Sequence, residues 1–222
     1  MKILIQEELI RLLNSLRLGV ISAEVRCESS SDKFREKMKN TVLEIRNQLN
    51  LDEIKGLVVV ASTREAYKII GNDPNRYRPS ADALLRRIVK GSDIYRINNV
   101  VDILNLISIQ SGFSIGGYDT DKIEGNIELG IGKKNEPYEG IGRGELNIFN
   151  LPVLRDARSA FGSPTSDSER TMITDSTNKI LFIFFDFGNH GSLLEYLDAC
   201  TKLLKRFCTA RELHSDIVEF QQ

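Results

Sequence analysis

Ser166, Asp167, Ser168, Glu169, Arg170 and Thr171 place hydroxyls, carboxylates and one guanidinium in consecutive positions shortly after Pro164. A guanidinium in such a run can grip a carboxylate or phosphate through two parallel hydrogen bonds. The hydroxyls can position a water. The same residue types also satisfy backbone groups in turns, so a capped surface turn is the alternative reading. A second concentration of chemistry lies between Arg76 and Arg96. There Arg76, Arg78, Arg86, Arg87, Lys90 and Arg96 are set against only Asp82 and Asp93. The run Asn75-Arg76-Tyr77-Arg78-Pro79 precedes a helix start, where outward-pointing amides favour phosphate. Arginines interleaved with a tyrosine suit a single-stranded RNA end, held by stacking and charge. The alternative is an arginine-rich loop that pins the helix start to neighbouring acids.

Other chemistries are poorly served. The two histidines, His190 and His214, both fall near the C-terminal end, which argues against a Ser-His-Asp triad or a histidine-rich metal site. Cys27, Cys200 and Cys208 show no Cys-x-x-Cys spacing. Cys200 and Cys208 fall eight residues apart on one predicted helix. At 1.5 Å per residue that is about 12 Å, too far for a disulfide. They read as small buried side chains. The glycines at 130, 132, 140, 142 and 144 match no phosphate-binding loop and read as hairpin turns and bulges. The acid pairs Asp119/Asp121 and Glu136/Glu139 fall on presumed turns and read as solvated. No metal or cofactor is expected.

The elements that must position these residues follow from periodicity. Residues 2–5 and 19–25 read as strands flanking a short helix over 7–16. Phe34, Met38, Val42, Ile45 and Leu49, at spacings of three and four, predict a long amphipathic helix. The unalternating run Gly56–Ser62 reads as a buried strand, followed by a short helix over 63–70 that ends at Gly71-Asn72-Asp73-Pro74. Ser80 is expected to cap the next helix, lined by Leu84, Leu85 and Ile88. Asn99–Ser111 predicts a third, ended by Gly112. Beyond it, residues 127–131, 145–149, 152–156, 170–174 and 179–185 read as short strands of a mixed or antiparallel sheet. Leu193, Leu197, Cys200, Leu204 and Phe207 predict a last helix, and the tail after Arg211 reads as surface.

With 222 residues, 41% hydrophobic and 27% charged, the chain fits one folded unit better than a disordered one. Its longest apolar run, Ile180–Phe185, falls far short of the ~20 residues that span a bilayer. The acids and arginine within MKILIQEELIRLL are unlike a secretion signal. A reducing, cytoplasmic location is expected. A net charge of −1 mildly disfavours a polyanion-binding protein as a whole, despite the local basic segment.

Asn99-Val100-Val101-Asp102-Ile103-Leu104-Asn105 is followed by Gly112 and then by Tyr118-Asp119-Thr120-Asp121-Lys122-Ile123-Glu124-Gly125. In these motifs and their spacing, from Leu84 to about Asp186, the chain resembles the B3/B4 domain of the phenylalanyl-tRNA synthetase beta subunit. Asn135-Glu136, Leu151–Asp156 and Phe161-Gly162 continue the resemblance more weakly. It implies an α+β fold, a B3/B4-like mixed sheet core with flanking helices. An N-terminal αβ part is expected over 1–75, the core over 76–188, and a C-terminal helix and tail over 189–222. It also implies an editing pocket, in which water hydrolyses tyrosine wrongly esterified to phenylalanine tRNA and donors stabilise the oxyanion. Asn105 matches a polar residue lining that pocket, and Asp156 matches an acid at a strand end. Gly116 stands near the Tyr118-Asp119 pair where the family has a histidine. Gly162-Ser163-Pro164-Thr165 replaces a Gly-Gly-Glu-type turn.

The expected partner is therefore a tRNA or an aminoacyl-tRNA 3′ end, with trans-editing hydrolysis as the enzymatic form of the reading. Arg76, Arg78, Arg86, Arg87 and Lys90 would meet phosphates. Asn105, Gly116, Tyr118, Asp156, Ser166, Ser168, Arg170 and Thr171 would surround the amino acid. A non-catalytic module for a free amino acid or small metabolite, and a fold used only for protein contacts, are the alternatives. Any tRNA-related role depends on the helix before Gly112, the Tyr118-Asp119 bend and the 163–171 segment meeting at one polar cavity flanked by arginines.

Overall fold

In this computed structural model, residues 1–219 are described. In chain order they form β1 (Ile3–Ile5), α1 (Glu7–Leu12), β2 (Arg17–Glu24), α2 (Asp32–Gln48), α3 (Val58–Ile69), α4 (Ser80–Val89), α5 (Asn99–Ser111) and β3 (Ser114–Asp119). There follow β4 (Ile127–Ile131), β5 (Glu139–Gly140), β6 (Gly144–Glu145), β7 (Pro152–Arg155), β8 (Ala160–Gly162), β9 (Lys179–Asp186), α6 (Leu193–Phe207) and β10 (Arg211–Glu219). The fold is α+β. No described helix is long and apolar enough to cross a membrane.

The centre is a sheet of order β10-β2-β9-β3, every neighbouring pair antiparallel. Strand β9 explains its own sequence. Ile180, Phe182 and Phe184 pack toward the helices, while Leu181, Ile183 and Phe185 pack toward a second sheet. Both faces are covered, so the run is continuously apolar rather than alternating. The second sheet has order β1-β4-β7-β8, with β1 parallel to β4. The N-terminal segment thus supplies strands to both sheets, pairing β1 with β4 and β2 with β9.

Four sequence expectations are corrected. The run Val58-Val59-Val60 is not a strand but the first turn of α3. Val59, Val60, Thr63, Ala66 and Tyr67 are buried at helical spacing, and the Ser62 and Thr63 hydroxyls donate back to the Val59 carbonyl. Packing of that face outweighs the β-branched preference for strands. Ser80 is the first helical residue of α4 and not its cap; Pro79 holds the cap position, with no side-chain cap bond. The Tyr118-Asp119 pair ends strand β3, which sequence reading missed because Gly116-Gly117 resembles a turn. The segment after Arg211, read as surface, is the largely exposed edge strand β10, pairing with β2. Of the predicted strand runs, 145–149 and 170–174 yield only Glu145 in β6, a 3-10 turn over Glu169–Thr171 and a single bridge at Met172. The three cysteines are free, with Cys200 and Cys208 buried in the helix-side core.

Candidate functional site

A cavity of about 470 Å³ opens where α4, α5 and β3 meet the 163–173 segment. Its walls are largely apolar: Leu84 from α4, Val101 and Leu104 from α5, Ile115 from β3, then Met172 and Ile173. Asn105, Ser80, Thr165 and Asp167 add polar groups, and Arg87, Arg143, Tyr95 and Ile141 complete the lining. Helix α5 is aimed here by its ends. The Asn98 side chain accepts the Val101 amide at the start, and Gly112, in the left-handed conformation at φ 78°, stops it before β3.

Three buried tyrosines fix the polar side of the cavity. The Tyr67 hydroxyl meets the Thr165 hydroxyl at 2.9 Å, Tyr138 donates to the Ser166 carbonyl at 2.6 Å, and Tyr118 donates to Asp167 Oδ1 at 2.7 Å. Consecutive residues are thus held by separate elements. Asp167 Oδ2 accepts the Gly117 amide at 3.0 Å. Burial pushes the Asp167 carboxyl up to about 7, although the bonds from Tyr118 and Gly117 pull the other way. A carboxyl in an apolar pocket, poised near neutrality, can hold a cation or move a proton.

Asn105 lines this cavity, and so does Arg87, whose Nε donates to the Asp93 carbonyl and whose guanidinium lies 3.9 Å from the Tyr95 ring centroid. Tyr118 is fully buried and reaches the site only through Asp167. Gly116 lines no wall. A Cβ there, or at Gly162, would collide with the Tyr118 hydroxyl, so both glycines make room for that ring. Ser166 is half-buried beside the pinned turn. Ser168 caps the 3-10 turn by accepting the Arg170 amide, and it lines a different, more open depression with Arg170. Thr171 is fully buried, its hydroxyl without a partner among the described residues. The residues that sequence reasoning passed over are Asp167, Thr165 and Arg143. Asp167 stood inside the polar run, but nothing local distinguishes it from Glu169.

Arg170 and Asp156 form an internal clamp. Both Arg170 terminal nitrogens reach the Asp156 carboxylate, at 2.9 and 3.1 Å, and also donate to the Lys122 and Ser159 carbonyls. Burial would raise the Asp156 carboxyl, but amide bonds from Glu124 and Ser159, with the Arg170 bond, outweigh it and hold it below the usual range. Arg170→Ala is expected to destabilise the fold by about 3 kcal/mol, because it strands a buried carboxylate. Urea unfolding measures this. Arg170→Lys should recover less than half, since an ammonium cannot reproduce the paired bonds.

The basic segment divides similarly. Asp82 is fully buried and accepts Arg86 at 2.6 Å and Arg64 at 2.7 Å, with Arg78 at 3.9 Å. Arg86 is thereby committed to the interior, the alternative weighed for these arginines. Arg76 is exposed and stacks on Tyr77, and Lys90 is exposed.

The sequence and the fold have known relatives. A 108-residue stretch, 47% of the chain, is 30% identical to the phenylalanine–tRNA ligase beta subunit of Fusobacterium nucleatum subsp. nucleatum, of which it spans only 13%. Across 99% of the chain the fold is similar to an N-terminal fragment of the phenylalanyl-tRNA synthetase beta subunit from Pyrococcus horikoshii, with a TM-score of 0.50, 12% identity and 54% of that fragment covered. The B3/4 domain family matches residues 62–191, more than half the chain, and the protein belongs to that family.

Proposed function

We propose that the cavity receives the amino-acid moiety of an aminoacyl-tRNA 3′ end and that the chain hydrolyses the ester. One observation carries the reading: Asp167, poised near 7, faces a cavity whose walls include Leu104, Ile115, Met172 and Ile173. The apolar walls suit an amino-acid side chain. Arg87 and Arg143 at the lining offer charge to the terminal phosphates. In the reaction, water attacks the ester carbonyl while Asp167 takes its proton. The bond from that carbon to the ribose oxygen breaks, and the ribose hydroxyl leaves with a proton. The products are the free amino acid and the deacylated tRNA.

The test is deacylation of Tyr-tRNA and other misacylated tRNAs, with binding followed over a salt series. Each phosphate neutralised costs roughly 0.7–0.9 log units of affinity per tenfold rise in salt. Hydrolysis of at least one species well above background, by a protein whose tRNA affinity falls steeply with salt, is expected. No tRNA binding even at low salt removes the reading. A second reading, a non-catalytic module for a free amino acid, is favoured by the single acid–base group in the cavity lining. Tight binding of a free amino acid with no deacylation of any tRNA selects it.

A further inference from the structure

A second cavity, of about 430 Å³, lies between α2 and the extended segment 93–96. Its floor is apolar, built from Phe34, Met38 and Val42 on α2 and from Ile94 opposite. Arg35, Lys39 and Arg46 stand beside that floor on α2, and Arg96 lies across from them. Two acids share the lining. Asp102 is buried and its two oxygens are used inside the fold, accepting the Ser30 hydroxyl at 2.6 Å and the Ile97 amide at 3.0 Å. Asp93 meets Arg46 only at 3.5 Å. Lys39 and Arg96 are exposed and form no ion pair with a described residue. The groove therefore sets Lys39 and Arg96, which pair with no described acid, beside an apolar lining.

Its position matters as much as its chemistry. Tyr95 lines both this groove and the cavity that holds Asp167, so the two are neighbours across the width of one extended segment. Tyr95 is 61% exposed, and Arg87 fixes it by donating to its hydroxyl at 2.9 Å and covering one face of the ring. A large aromatic ring held rigid in solvent by a cation is a stacking platform. A bound strand whose terminal group entered the Asp167 cavity would pass Tyr95 and reach the α2 groove next.

We propose that the α2 groove is a nucleotide subsite for single-stranded RNA: an unpaired base enters between Met38 on α2 and the 94–96 segment, and Lys39 and Arg96 hold its phosphates. Tyr95 stacks the base between the groove and the Asp167 cavity. This rests on the aminoacyl-tRNA reading for the direction of the strand. It replaces the internally committed Arg86 with side chains that are free to bind.

The experiment is fluorescence anisotropy of a labelled single-stranded RNA of about ten nucleotides, titrated with the full chain over a salt series. Lys39→Glu with Arg96→Glu should weaken binding at least tenfold at low salt and flatten the log–log salt slope by about 1.4, at roughly 0.7 per phosphate on a single strand. Tyr95→Ala should weaken binding about tenfold with the salt slope unchanged, because stacking carries no counterion release. All three residues are exposed, so thermal melts of the variants should superimpose on that of the parent. Unchanged affinity and slope in the double variant overturn the subsite. So does competition by polyglutamate as effective as by unlabelled RNA, which would mark the groove as a site for an acidic peptide. Titration of the parent with phenylalanine and tyrosine methyl esters separates the two readings. Ester binding without RNA binding sinks the groove alone. RNA binding that the double variant abolishes, without ester binding, supports the groove and sinks the amino-acid cavity.

Discussion

Asp167→Asn is expected to lower deacylation by at least a hundredfold while the protein remains folded. A positioned general base contributes roughly 10²–10⁴ to a rate, and Asn cannot take a proton. Asn keeps the shape of the site. Its oxygen can accept the Gly117 amide, and its amide can donate to the Tyr118 hydroxyl, the two groups that now hold the carboxylate. Binding of amino-acid esters should fall about tenfold to a hundredfold, the loss of one charge-assisted contact to the α-ammonium. In the parent, affinity should climb as pH rises through about 7 and Asp167 becomes charged. It should fall again near 8 as the α-ammonium loses its proton. The variant should lose the rising limb. If Asp167→Asn deacylates as fast as the parent, the carboxyl is not the base.

The same carboxyl leaves a mark on stability. An ordinary aspartate titrates near 3.9, so between about 4 and 7 the folded chain keeps a proton that the unfolded chain has released. Stability therefore declines as pH rises through that window, by at most about 4 kcal/mol, and Asp167→Asn should flatten the decline. Asp156 and Glu136 act oppositely. Their carboxyls are held below the ordinary range, so what they contribute is lost only on acidification below about 4. Urea midpoints measured from about pH 2 to about pH 8 separate the two effects, one above and one below about pH 4.

Gly116→Ala should be among the most damaging single substitutions outside the cavity. The new methyl would collide with the Tyr118 hydroxyl, the rigid end of a fully buried ring that is itself bonded to Asp167 and packed edge-on against Phe161 at 4.9 Å between centroids. The ring cannot swing away without breaking that bond and opening the second core. A loss of about 3 kcal/mol is expected, at the upper end for overpacking. Amino-acid ester binding should weaken with it, because displaced Tyr118 no longer orients Asp167. Chemical denaturation and ester titration of the one variant read both effects. A variant as stable as the parent would show that the ring has room the structure denies it, and the account of Gly116 and Gly162 as clearance for Tyr118 would fall.

Much of the scaffold was legible from periodicity. The helices at Asp32–Gln48, Asn99–Ser111 and Leu193–Phe207 follow spacings of three and four, and β9 was recognisable as a strand buried on both faces. The Val58–Val60 run was misread because the boundary was placed at Ser62, which hid the recurrence from Val59 through Thr63 to Tyr67. Strand β8, at Ala160–Gly162, is too short to leave any pattern.

By itself the sequence determined the fold class and the family, because these follow from apolar spacing and from motifs whose order along the chain is their meaning. Only the tertiary structure decided which polar side chains face the cavity. Arg170 and Asp156 satisfy each other, and Arg86 satisfies a buried Asp82, whereas Asp167 is turned inward by Tyr118 and Gly117 from another strand. A charged side chain is free for a ligand only when no partner inside the protein has fully taken it, and the partners here lie anywhere from 4 to 50 residues away along the chain.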